Sequence, residues 1–139
     1  MIPGQERTQR LFTLAALVGD IAVFVVFSAL GHSEHKETQG FGEILYTASP
    51  FVVGWLLVAY ARGAFRLDAL KKPSQVAKST ALTWLFAWPV GLGLRAIVQH
   101  RGIPLSFDIV ALAVNACFLV GWRSALQAVL RGVRISSPL

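Results

Sequence analysis

A chain of 139 residues that is 55% hydrophobic and only 14% charged is too apolar for a water-soluble domain, in which about a quarter of the residues would carry charge. Its formal net charge of +6 comes from basic residues at the ends of apolar blocks, not from a stripe on a polar face, which excludes a nucleic-acid surface. The single cysteine, Cys117, lies inside an apolar block and can form no intrachain disulfide, so cysteine usage fixes no redox compartment.

Four apolar blocks separated by short polar stretches predict one all-α membrane domain, a bundle of four transmembrane helices over about 11–31, 44–64, 79–100 and 106–130. The first block, Leu11 to Gly31, is long enough to cross a bilayer, about 30 Å at 1.5 Å per residue. It holds one charge, Asp20. A carboxylate inside a span costs roughly 2.5–3.5 kcal/mol, so Asp20 needs a partner. A cleaved signal peptide is not expected, because the apolar run is too long and carries that acid.

A polar loop, His32 to Glu43, leads to the second span, which has Tyr46 and Tyr60 near its ends at the expected headgroup levels. Pro50 lies inside this span and removes one helical hydrogen bond. Ser49 or a neighbouring helix is expected to take the freed carbonyl. A basic connection then runs to Lys78. In the third span Trp84, Trp88, Gly91 and Arg95 share one helix face, and Pro89 just before Gly91 and Gly93 predicts a bend. The fourth span holds Asp108, Asn115 and Arg123, and a basic, frayed tail follows it.

The loop charges predict orientation. Arg7, Arg10, Arg62, Arg66, Lys71, Lys72, Lys78, Arg131 and Arg134 fall on one side, and only Lys36 and Arg101 on the other. The positive-inside rule then puts both termini and the middle loop in the cytoplasm, with the basic loop facing anionic lipids of the bilayer.

Depth estimated from helical rise selects partners. Asp20 lies roughly 13 Å from Leu11, and Arg123 about 10 Å from the end of the fourth span, so a pair across the bundle is expected. Such a pair either fixes helix register or serves the movement of a proton or solute. Arg95 and Asp108 fit two readings equally: a second pair at the outer level, or a snorkelling arginine and a helix N-cap. Asn115 is expected to bond across helices. Ala15 and Gly19 on the first helix, with Ala113, Cys117 and Gly121 on the fourth, are expected to allow close packing. His32, His35 and His100 are weak metal candidates, too loosely spaced to define a site, and no metal or cofactor is expected. No catalytic motif is present: Gly91-Leu-Gly93 lacks the third glycine of a dinucleotide loop, and no nucleophile elbow, zinc-protease pair or phosphate loop occurs, so an enzyme is not expected.

The stretches DIAVFVVFSALGHSEH, SPFVVGW, WPVGLGLR and SFDIVALAVNACFLVGWR resemble the four spans of the prokaryotic membrane family called domain of unknown function 3054. The most specific pieces are Pro50-Phe51 to Gly54-Trp55 and Gly121-Trp122-Arg123. The resemblance implies a four-helix protein of the bacterial cytoplasmic (plasma) membrane in which Asp20, His35, Trp55, Arg95 and Arg123 matter, and it supplies no chemistry. Two function classes lead. One is a small-solute or proton-linked carrier, which usually needs a homodimer. The other is an accessory or structural subunit of a larger membrane complex.

Overall fold

The computed structural model describes residues 3–33, 40–66, 72–100 and 105–136. They form four helices: α1 (Pro3–Ser33), α2 (Phe41–Ala61), α3 (Pro73–Gln99) and α4 (Leu105–Ser136). All four are long and apolar enough to cross a membrane, and large apolar side chains face outward along each of them. In water such a surface would be a severe aggregation liability. Against lipid tails it costs nothing.

The helices extend past the apolar blocks. Residues 3–10, polar in sequence, already belong to α1, and α4 continues to Ser136 where a frayed tail was expected. α2, in contrast, stops at Ala61, three residues before the end of its apolar block. Each helix packs on its chain neighbours, and α1 also meets α4, which closes the ring. Pairings of Gln9 with Phe65, Tyr46 with Gln99, and Phe12 with Leu126 make the neighbouring helices antiparallel. The start of α1 and the end of α4 therefore lie at one end of the bundle, called here the terminal end.

The broadest contact is between α2 and α3. It depends on two glycines. A β-carbon on Gly54 would stand 2.8 Å from the Gly91 nitrogen, and one on Gly91 would stand 2.7 Å from Phe51 Cδ1. Backbones can approach this closely only where a side chain is missing. Here the expectation for α4 needs correcting. Ala113, Cys117 and Gly121 face outward, and nothing lies within 4 Å of a β-carbon built on Gly121. Gly19 does pack tightly, against the Trp122 indole.

α2 continues unbroken through Pro50, and α3 through Pro89. The carbonyl freed by Pro50 is that of Tyr46, four residues earlier. It accepts from Ser49 Oγ at 2.8 Å and from Gln99 Nε2 of α3 at 2.9 Å. Both expected donors thus contribute, and the second ties α2 to α3.

Candidate functional site

Phe12, Ala16, Asp20 and Phe24 recur at four-residue spacing on α1 and are all buried, so Asp20 lies in the middle of a stripe aimed at the bundle axis. On α4, Leu119, Arg123 and Gln127 form the matching buried stripe. The two stripes meet at the charges. Arg123 Nε donates to Asp20 Oδ1 at 3.1 Å and Nη2 to Oδ2 at 2.5 Å. Trp55 of α2 donates its indole N–H to Oδ2 at 2.8 Å. The carboxylate is wholly inaccessible and Arg123 is 3% exposed. A planar guanidinium matches a planar carboxylate with two parallel bonds, the strongest form of ion pair available to a side chain.

The remaining arginine contact comes from the end of α2. Gly63 takes the left-handed conformation, with φ of 68°. Its N–H bonds to the Tyr60 carbonyl at 3.0 Å, and the Ala64 N–H bonds to the Ala59 carbonyl at 2.9 Å. This pair of bonds around a left-handed glycine is a Schellman stop. It turns the chain inward and sets the Ala64 carbonyl 2.7 Å from Arg123 Nη1. The Phe65 ring covers the guanidinium, 5.1 Å from Cζ to centroid, and the Trp55 ring lies at 5.7 Å. The Phe65 carbonyl in turn accepts from Gln9 Nε2 at 2.7 Å and Thr13 Oγ1 at 3.2 Å. Residues 62–66 thus form a strap over the pair on its terminal-end side.

The opposite side is closed by aromatic rings. Phe24 and Trp84 have centroids 5.3 Å apart, and Trp55 lies 6.3 Å from Phe24 and 6.4 Å from Trp84. Trp84 is anchored by its N–H to the Leu112 carbonyl of α4 at 2.9 Å. The pair therefore sits between a ring layer and a strap, with Trp122 packed on Gly19 beside it.

The other sequence candidates lie elsewhere. Trp88 and Arg95 are half-buried on α3, and Asp108 is half-buried on α4. Asp108 Oδ1 is buried without a hydrogen-bond partner, so no Arg95 donor reaches that oxygen. Asn115 is 2% exposed, but its Nδ2 donates to Ala111 of its own helix at 2.9 Å rather than to a neighbouring helix. The short side chain reaches its own preceding turn more readily than the next helix. His100 is exposed and ends α3 in the left-handed conformation. His35, and the side chain of His32, lie outside the described residues. Among the described residues no three metal-ligating side chains gather.

Sequence reasoning missed the Ala64 carbonyl and the Phe65 ring. The signal was Gly63, a C′ glycine that ends α2 inside an apolar block. Trp55 was singled out only by resemblance, and its bond to Asp20 was not foreseen.

A family model described as "Protein of unknown function (DUF3054)" matches residues 17–126. That stretch contains Asp20, Trp55, the strap and Arg123. Searches of curated proteins and of solved structures give no match.

Proposed function

The chain belongs to the DUF3054 family, and from its site we propose that it is a small-solute or proton-linked carrier of the cytoplasmic membrane, with Asp20 as the coupling group. One observation carries the reading: a carboxylate and a guanidinium, both buried, paired deep within the spans. Well-packed apolar residues of similar volume would hold the helices at least as well as a buried ion pair does. Charges kept at such depth are therefore candidates for a working site. The strap adds support, since its contacts to Gln9, Thr13 and Arg123 are hydrogen bonds that water can replace one by one.

The orientation proposed has both termini inside. With Cys117→Ala as background, cysteines introduced at Gln39 and Ser137 test it. A membrane-impermeant maleimide added to intact cells should label the Gln39→Cys protein and spare the Ser137→Cys protein. The reverse pattern would refute the orientation.

Transport is tested with purified protein in sealed vesicles holding a pH-sensitive dye. A panel of organic acids, amines and sugars is added outside, with the membrane potential clamped. The wild type should move protons with one class of solute. Asp20→Asn keeps the side-chain shape and should abolish that flux while the helical circular dichroism and the elution volume stay unchanged. Equal flux in both proteins would sink the reading.

A second reading, an accessory subunit of a larger membrane complex, draws on a different observation. Ala113, Cys117, Gly121 and Ala125 face outward along α4, and small residues at this spacing let another helix approach closely. In that case the Asp20–Arg123 pair serves packing alone. Extraction in mild detergent should then yield the chain in fixed stoichiometry with a second polypeptide.

A further inference from the structure

We infer that the donors around Asp20 form a binding site for a small monocarboxylate anion, which takes the place of the Asp20 carboxylate when that group accepts a proton. The inference rests on the carrier reading for its use in transport, but the site itself can be tested without it.

Two observations lead to this ligand class. The first is donor geometry. Three N–H groups, Arg123 Nε, Arg123 Nη2 and Trp55 Nε1, converge on one planar carboxylate. Of the remaining guanidinium donors, Nη1 is taken by the Ala64 carbonyl, which fixes the fork in place whatever occupies it. The walls are apolar rings: Trp55 and Phe65 over the guanidinium, Phe24 packed against Trp55, and Trp122 packed on Gly19 next to Asp20. A site with a charged fork and ring walls suits a short organic acid better than a hydrated inorganic ion.

The second is charge balance. An arginine side chain does not lose its proton in a protein, so the site always holds one positive charge. Inside the spans that charge needs one negative partner. α1 is packed against α2 and α4, and its Phe24 also meets α3 through the uncharged Trp84. From α2 the polar group facing Asp20 is the uncharged Trp55, and from α4 they are Arg123 and the uncharged Trp122. Within the site the negative charge is therefore supplied by Asp20 itself. When Asp20 is protonated, the balance is restored by one monovalent anion. A neutral solute leaves an unpaired guanidinium, a cation doubles the charge, and a dianion reverses it. One proton then accompanies one monocarboxylate. The proton sits on an Asp20 oxygen, and the anion sits on the fork that the carboxylate has left.

The test uses the Asp20→Ala protein purified in detergent at neutral pH, followed by its thermal unfolding. Formate and acetate should raise its unfolding midpoint in a saturable way. Chloride at equal ionic strength, or acetamide, should need at least about tenfold higher concentration for the same shift, because neither offers two parallel charged acceptors. The Asp20→Ala, Arg123→Ala protein should give no such difference. If Asp20→Ala fails to fold, Asp20→Ser and the wild type replace it. Calorimetric titration of the wild type with formate should show tighter binding as pH falls, with uptake of about one proton per anion. A formate response no stronger than that of acetamide, or one that persists without Arg123, overturns the site.

Vesicle flux separates this inference from the carrier reading. Pyruvate is the probe, since it is more acidic than formate or acetate and at neutral pH leaves very little of the neutral form that crosses lipid unaided. Rescue by formate with no solute-driven proton flux leaves the carboxylate site standing and removes the carrier. Proton flux driven by an amine or a sugar, with no rescue by formate, removes the carboxylate site and leaves the carrier.

Discussion

Asp20→Ala is expected to destabilise the folded bundle by about 3–5 kcal/mol. The cost is not the loss of two hydrogen bonds as such. Arg123, 3% exposed in the wild type, keeps its charge, with its Nε and Nη2 groups left without acceptors. Trp55 Nε1 loses its acceptor as well. While the strap is closed, it and the ring layer keep water from them. Removing the arginine too should recover much of the loss, because the penalty belongs to the unpaired charge. The measurement is a double-mutant cycle in mixed micelles, read by circular dichroism against a denaturing detergent. A coupling energy near zero between positions 20 and 123 would mean that the pair contributes nothing specific. Asp20→Asn should fall between the extremes, since the amide still accepts from Arg123 through its oxygen.

Gly54→Ala is the second large effect, expected at about 1–3 kcal/mol. The added methyl would lie 2.8 Å from the Gly91 nitrogen, 3.1 Å from the Gly91 Cα and 3.1 Å from the Ala87 carbonyl oxygen. All three are backbone atoms, so no rotamer change can make room. α2 and α3 must separate, along the broadest contact in the bundle and one turn or less from the rings of Phe51 and Trp55. Gly93→Ala serves as the control. It lies on the same helix as Gly91, with nothing within 4 Å of the new carbon. It should be neutral or stabilising, by up to about 1 kcal/mol, from helix propensity alone. Equal effects at the two positions would show that close packing at Gly54 carries no weight.

Part of the site was legible because it follows from arithmetic along a helix. Asp20 and Arg123 fall at similar depths when each is counted at 1.5 Å per residue from the same end, and the structure sets them in one bidentate pair. The carbonyl freed by Pro50 was equally predictable, since the missing N–H and the residue four places earlier are fixed by the chain. The strap was not legible. Ala64 and Phe65 are apolar, so hydropathy ran the second span through them, while the left-handed Gly63 ended the helix at Ala61. That stop is what aims the Ala64 carbonyl and the Phe65 ring at Arg123.

What the sequence determined by itself is the number of helices, their ability to cross a membrane and the family of the chain, all of which depend on residue type summed over a segment. What only the tertiary structure decided is which side of each helix faces its neighbours. Leu11 is 58% exposed while Phe12 beside it is 1% exposed, and Gly54 is buried where Gly121 is open. In water the buried face of a helix announces itself as an apolar stripe opposite a polar one. In a bilayer the surroundings are as apolar as the core, so that contrast is absent and the rotation of each helix is set by packing. The exceptions are the buried polar residues. Asp20 and Arg123 could be oriented from sequence because lipid is the one place they cannot face.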